Sequence, residues 1–259
     1  MSEQVDGVPG VGRVVVIIPT YNESENVRLI TARVREAVPQ VDVLVADDNS
    51  PDGTGRIADE LAAADPQIHV LHRAGKEGLG AAYIAGFGWA RERGYDAVVQ
   101  MDADGSHAPE ELPKLLHALR DADAVIGSRY VRGGKVVNWP LHREVLSRGG
   151  NIYVRTVLGM KIKDATGGYR AYRMAVLDKE ELASIQSQGY SYQVELTWRI
   201  HRNGFIMTEV PITFAEREHG ASKMSGSIVK EALWRVTIWG AKSRANSVRR
   251  ALKPKSTWP

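Results

Sequence analysis

Five short runs of apolar residues punctuate the first half of the chain, at 14–18, 41–46, 68–71, 97–101 and 124–127. Each is apolar throughout, without the alternation of a strand that has one wet face. Between them, residues 25–37, 55–64, 80–93 and 110–120 carry apolar positions at helical spacing, the last stretch preceded by Pro109. Strands buried on both faces and separated by helices predict an α/β protein, a mostly parallel central sheet with helices on both faces. Beyond Arg129 the pattern loosens. A Gly-rich loop (132–140), a helix (143–158), a Gly-Gly turn (164–169), another helix (193–202) and an extended run (205–214) follow, and Pro211 marks that run as edge-like. A charged loop (216–224) then leads to a last helix from about Ser227. With no internal repeat and no linker, the sequence predicts a loose leader over 1–12, one folded body over 13–226, and an amphipathic helix with a basic tail over 227–259.

In such a sheet the ligand crevice lies at the carboxyl ends of the strands, and polar clusters recur there. Pro19-Thr20-Tyr21-Asn22-Glu23 follows the first run, Asp47-Asp48-Asn49-Ser50-Pro51-Asp52-Gly53-Thr54 the second, Asp102-Ala103-Asp104 the fourth and Gly127-Ser128-Arg129 the fifth. Asp102 and Asp104 are two positions apart where a strand ends, so on an extended chain both face one point. Two hard anionic oxygens converging there suit Mg²⁺ or Mn²⁺, the ions that accompany diphosphates. The same pattern also fits a solvated turn that merely ends a strand.

Composition narrows the field. At 259 residues the chain has ample length for a core, and without cysteine it has no disulfide framework, thiolate zinc site or Cys nucleophile. No apolar run approaches the roughly 20 residues of a bilayer-spanning helix, and Met1-Ser2-Glu3-Gln4 does not open a signal peptide. A cytoplasmic location is expected. The net charge of +3 argues for no nucleic-acid partner, yet arginine-rich loops and a basic tail concentrate in residues 129–259.

Taken in order, the clusters above together with Gly78-Leu79-Gly80, Gly127-Ser128-Arg129-Tyr130 and Gly167-Gly168-Tyr169-Arg170 resemble the motifs of inverting GT-A glycosyltransferases, specifically the polyprenol (dolichol) phosphate mannose synthases. The resemblance runs from about residue 13 to residue 226. Residues 103–112 and Ser222-Lys223-Met224-Ser225-Gly226-Ser227 look most like the actinobacterial members, in which the synthase works beside, or fused to, a membrane acyltransferase domain. A membrane acyltransferase-type partner is thereby implied, and no such domain is expected within these residues. The resemblance implies the GT-A nucleotide-diphospho-sugar transferase fold and a defined reaction. GDP-mannose gives its mannosyl group, with inversion, to the phosphate of a polyprenyl (dolichyl-type) monophosphate, with Mg²⁺ or Mn²⁺ on the donor diphosphate.

Site roles follow from the same resemblance. It implies nucleotide binding by Pro19, Tyr21, Glu23, Asp48 and Asp102, metal binding by Asp102 and Asp104, and an acceptor-phosphate pocket of Arg129, Arg143 and Ser147. Arg217 and Lys223 match a mobile loop that closes over the phosphates, and with Asp104 and Arg129 they make up the implied catalytic set. Archaeal members use a Gln two residues beyond the second metal Asp as a further ligand. Ser106 stands there in this chain, which leaves the preferred metal open. Glucosyl or N-acetylglucosaminyl transfer to the same lipid phosphate is the nearest alternative, and a non-catalytic nucleotide-sugar-binding subunit a remote one.

The residue types suit this chemistry. The acceptor oxygen is already anionic, so no strong general base is required, whereas its repulsion from the donor diphosphate calls for always-charged arginines. Arg143 and Ser147 are an i, i+4 pair on a helix and can face one ligand. His107, ahead of Pro109, reads as a helix-start residue. Asp164 either orients Arg170 or caps its turn, and Glu195 either pairs with a phosphate-site arginine or lies on a helix surface. On the last helix Leu233, Val236 and Trp239 share an apolar arc that docks on the body, while Trp234 and Ile238 lie opposite among cations. That is the pattern of a helix on anionic lipid, or of a docked helix with a basic tail. A peripheral position on the membrane's inner face is expected.

Overall fold

The computed structural model describes residues 7–180, 182–185, 190–216 and 233–241. Five strands arise where the apolar runs predict them: β1 (Val14–Thr20), β2 (Asp42–Asp47), β3 (Ile68–His72), β4 (Ala97–Gln100) and β5 (Ala124–Ser128). Helices α1 (Val27–Ala37), α2 (Thr54–Ala64), α3 (Leu79–Glu92) and α4 (Leu112–Ala118) connect them. The start of α4 is tighter than predicted, because Pro109–Glu111 forms a 3-10 turn before Pro113 opens the α-helix proper.

The second half adds β6 (Lys135–Val137), α5 (Leu141–Leu158), β7 (Arg170–Arg173), α6 (Met174–Lys179), α7 (Tyr190–Arg202), β8 (Met207–Pro211) and β9 (Thr213–Ala215). The main sheet has the order β3-β2-β1-β4-β7-β5-β8, and β6 pairs with β9 in a small second sheet. All main-sheet pairings are parallel except those of β7, which runs antiparallel between β4 and β5. The extended run predicted for 205–214 splits at Ile212. This buried residue donates its N–H to Ser128 O at 3.2 Å and accepts Lys135 N–H at 3.0 Å, which turns the chain from one sheet to the other. Its first half, β8, is the sheet edge that Pro211 predicted.

Alternate residues of β1 feed two cores. Val14, Val16 and Ile18 pack beneath α1 and α4, while Val15 and Ile17 pack against Tyr83 and Phe87 of α3 and Tyr192 and Leu196 of α7. Helix α3 can lie this close because Gly86 has no side chain: a Cβ there would stand 2.7 Å from Ile17 Cγ2. A third cluster joins Val154 and Leu158 of α5, Trp198 of α7 and Val236. Where the sequence predicts a loose leader, residues 7–12 close a turn, with Val8 N–H donating to Gly12 O at 2.8 Å, and Val8 and Val11 are buried in the first core.

The helix over 233–241 docks through Val236, through Trp239 stacked on Trp198 (5.6 Å), and through Gly240 against Val157. Trp234 is 67% exposed, as its position on the outer arc predicts. Leu233, expected on the docked arc, is exposed instead, because it lies a turn short of the contact with α5. Residues 242–259 and most of the predicted charged loop lie outside the described residues, and no described helix is long and apolar enough to cross a membrane.

Candidate active site

Parallel β1, β2, β4 and β5 end on one edge of the sheet, and antiparallel β7 begins there, so the predicted polar clusters meet. The loops after β1 and β2 are knitted together by three bonds. Asn22 N–H donates to Ser50 Oγ (3.1 Å), Glu23 N–H to Thr54 Oγ1 (3.0 Å) and Ser24 N–H to Asp52 Oδ2 (3.1 Å). Asp47, at the end of β2, accepts from Thr20 Oγ1 at 2.9 Å and from Ser50 Oγ at 2.6 Å. Burial pushes Asp52 upward, but hydrogen bonds from Thr54 and Ser24 outweigh it and hold this carboxyl below its usual range.

The residues expected to bind the nucleotide lie on these loops and the strand ends beside them. Pro19 is half-buried in β1 opposite Ala46, Lys76 Nζ sits 4.1 Å over the Tyr21 ring, and Glu23 Oε2 accepts Asn26 Nδ2 at 2.7 Å. Asp48 is buried against Arg73, which also bonds Glu77 at 2.8 Å. Burial outweighs the arginine and raises the Asp48 carboxyl above its ordinary value.

After β4 the chain turns at Ala103-Asp104, and Ala103 is buried in the core while Asp102 and Asp104 on either side are half-buried. Tyr83 of α3 donates its hydroxyl to Asp102 Oδ1 (3.1 Å), and Ser106 N–H donates to Asp104 Oδ1 (3.1 Å). Burial, then the Asp102 charge, pushes the Tyr83 hydroxyl well above its ordinary pKa, so it remains a donor. Asp102 N–H donates to His107 Nδ1 at 3.0 Å. That bond requires the ring's free lone pair at Nδ1, hence a neutral imidazole protonated at Nε2. His107, buried and stacked on Tyr169 (5.1 Å), therefore holds the aspartate segment and is more than the helix-start residue the sequence suggests.

The Gly167-Gly168 turn links this half to the arginines. A Cβ on Gly168 would stand 3.1 Å from His107 Cε1 and 3.7 Å from Asp102 Oδ2. One on Gly167 would stand 3.1 Å from Gly127 O and 3.4 Å from Asp164 Oδ2. Arg129, at the end of β5, is buried and grips Asp164 with Nε (2.7 Å) and Nη2 (2.6 Å), while its own N–H bonds the same carboxylate at 3.0 Å. Burial would raise the Asp164 carboxyl, but Arg129 outweighs it and holds the group below its ordinary value.

The Trp139 indole carries two cations, Arg129 at 5.4 Å and Arg143 at 4.2 Å, and Tyr130 OH donates to Ser147 Oγ at 2.7 Å. Arg129 and Arg143 thus meet on Trp139, with Ser147 bonded to the neighbouring Tyr130. They are not a bare cationic cluster, however, because Arg143 Nη1 also bonds Glu216 at 2.8 Å. Asp164 orients Arg129, and Glu195 pairs with Arg199 (Nε at 3.0 Å). Arg217 and Lys223 lie outside the described residues.

Tyr83, Trp139 and Phe214 were not singled out from the sequence. An indole in a Gly-rich loop was the one available signal; Tyr83 reads as an ordinary core position. Among the described residues no group of three or more His, Asp or Glu is gathered to hold a metal. Asp102 and Asp104 supply hard oxygen ligands of the kind Mg²⁺ and Mn²⁺ take alongside phosphate oxygens.

A mostly parallel sheet with paired aspartates and arginines on one edge is the architecture of a glycosyltransferase with the GT-A fold. The chain belongs to glycosyl transferase family 2, whose model matches residues 15–180. It is 59% identical over 239 residues to the polyprenol monophosphomannose synthase of Mycolicibacterium smegmatis, covering 92% of this chain and 90% of that one. It is 58% identical over 240 residues to the undecaprenyl-phosphate mannosyltransferase of Micrococcus luteus, covering 93% and 99%. Among solved structures it is similar to glucosyl-3-phosphoglycerate synthase from Mycobacterium tuberculosis in complex with Mn²⁺, UDP-glucose and phosphoglyceric acid. That likeness has a TM-score of 0.62 at 20% identity, covers 88% of this chain and 80% of that one, and speaks to fold alone.

Proposed function

We propose that this enzyme transfers mannose from GDP-mannose to the phosphate of a membrane polyprenyl monophosphate, with inversion at the anomeric carbon. The observation that carries the proposal is the Gly167-Gly168 turn, which abuts Asp102 on one side and the Arg129–Asp164 pair on the other. Donor diphosphate and acceptor phosphate then share one cleft. Two relatives near 60% identity named for mannosyl transfer to polyprenyl phosphate support the sugar and the acceptor.

Asp102 and Asp104 would hold Mg²⁺ or Mn²⁺, which when bound neutralises charge on the departing diphosphate. Tyr83 and His107 fix Asp102 for that task. Pro19, Tyr21, Glu23 and Asp48 take the nucleoside. Arg143, Ser147 and the Arg129–Asp164 unit receive the acceptor phosphate, and Arg217 and Lys223 complete the catalytic set. The acceptor oxygen attacks as an anion, so no side chain has to remove a proton.

The lipid acceptor fits a peripheral position on the inner face of the membrane. Arg143 and Ser147 occupy the inward side of α5, while Leu141, Val145 and Ile152 lie exposed along the opposite side, bordered by Arg148 and Arg155. Apolar residues edged by arginines suit an anionic lipid surface, and an acyltransferase-type membrane protein would work beside it. The test is incubation of the pure protein with GDP-mannose, Mg²⁺ or Mn²⁺ and a polyprenyl phosphate, with GDP-glucose and UDP-N-acetylglucosamine as competing donors. A lipid-extractable mannosylated product, absent from Asp104→Ala, is expected. A glucosyl or N-acetylglucosaminyl product would move the proposal to that donor.

A further inference from the structure

Helix α7 buries a carboxamide that bonds to nothing among the described residues. Gln193 is 2% exposed, and among the described residues neither its Oε1 nor its Nε2 has a hydrogen-bond partner; Ser191 Oγ is in the same state. Burying such groups unpaired is costly, so each calls for a reason.

Their place in the fold supplies one. Helix α7 leads into β8, which runs parallel to β5, so α7 begins at the edge where β4 and β5 end. Arg170 opens β7 at that same edge, between the strand that delivers Asp102 and the strand that delivers Arg129. Fully buried, it donates through Nη1 to Gln193 O (3.0 Å) and Thr197 Oγ1 (2.7 Å), through Nε to Gly167 O (2.6 Å) and through Nη2 to Ala165 O (2.7 Å). One guanidinium thus ties the first turn of α7 to the Gly-Gly turn. On the other flank Tyr192 OH accepts Gln100 Nε2, at the end of β4, at 3.1 Å. Gln193 is one helical turn nearer the edge than Thr197, on the turn of α7 that Arg170 ties to the Gly-Gly turn between Asp102 and the Arg129–Asp164 pair.

We infer that Gln193, assisted by Ser191, reads hydroxyl groups of the hexose being transferred and is a specificity-determining residue. The inference rests on the sugar-transfer reading above, in which the hexose must sit between the donor's diphosphate and the acceptor's phosphate. A carboxamide offers two N–H donors and a carbonyl acceptor, the complement of a pair of hydroxyls that both donate and accept. A neutral group also suits a sugar ring better than it suits the phosphates on either side. Sites built on buried polar partners reject analogues that lack the hydroxyl much more strongly than apolar pockets reject extra atoms.

The test compares wild type with Gln193→Leu and Gln193→Glu on GDP-mannose, GDP-glucose and singly deoxygenated GDP-mannose analogues. Steady-state transfer is measured alongside calorimetric binding of each donor and of GDP alone. Wild type is expected to lose roughly tenfold or more in kcat/KM on at least one deoxy analogue. Gln193→Leu is expected to lose as much on GDP-mannose itself yet leave that analogue nearly unchanged, so that discrimination collapses while GDP binding holds. Its melting temperature should match or exceed wild type, because a carboxamide without partners is removed. Equal losses on every donor, a lowered melting temperature in both variants, or intact discrimination in Gln193→Leu would overturn the inference and leave mannosyl transfer standing. If wild type neither binds nor transfers any nucleotide-linked hexose, the functional reading itself fails and this inference falls with it.

Discussion

Tyr83 and His107 hold Asp102 from two directions, the phenol through the carboxylate at 3.1 Å and the imidazole through the backbone N–H at 3.0 Å. The first of the two carboxylates proposed to hold the metal is thereby aimed before any substrate arrives. Tyr83→Phe keeps the buried ring and removes only the bond to Asp102. Loss of a partner behind a metal ligand typically costs 10- to 100-fold in metal affinity or activity. The expected outcome is a Mn²⁺ activation curve displaced about tenfold upward, with acceptor KM unchanged. A curve that stays in place would mean that the hydroxyl does not position the carboxylate.

Asp164 is a second such hold, and it is pH-sensitive. Its folded pKa lies below the ordinary 3.8, so its contribution to stability is complete above that value and is lost as pH falls through the lower folded value. Asp164→Asn removes the carboxylate that grips the buried Arg129 guanidinium, at a cost of about 3–5 kcal/mol. Chemical denaturation at pH 7 should show that loss. Acid titration should show a shallower fall in stability below about pH 4 than in wild type.

Arg143 is expected to act on the acceptor alone. Its guanidinium lies over Trp139 and bonds Glu216, neither of which belongs to the nucleotide side. Arg143→Lys keeps the charge but loses the planar stack and the fork. The KM for polyprenyl phosphate should rise about tenfold while that for GDP-mannose stays within a factor of two; equal rises in both would remove Arg143 from the acceptor pocket.

The outward side of α5 gives a test of membrane association. Replacing Leu141, Val145 and Ile152 together by Ser should reduce co-sedimentation with anionic vesicles severalfold and leave GDP binding intact. Adding Trp234→Ser is expected to deepen the loss. Unchanged co-sedimentation of the fourfold variant would exclude this surface as the docking face.

Much of this arrangement is legible in the sequence, and the exceptions have physical causes. The first five strands announce themselves because most of their residues are covered on both faces, which leaves runs broken by few polar residues. Strand β7 is invisible to that logic, since Arg170 and Arg173 bound it and only Ala171 and Tyr172 lie between. Asp102 and Asp104 advertise a shared direction by spacing alone. The partners of Arg129 and Arg143 do not, because Asp164 lies 35 positions away and Glu216 lies 73 away. His107 and Tyr83 look from the sequence like a residue before a helix and a residue inside one, and only the folded chain brings both onto Asp102.

Strand β7 also acts as a spacer. Neighbouring strands in a sheet stand about 4.8 Å apart, so one inserted strand sets the β4 and β5 termini roughly 10 Å from each other. The fold's own backbone thus gauges the span between the aspartate loop after β4 and the arginine loop after β5, and in the proposed reaction that span would admit a single pyranose.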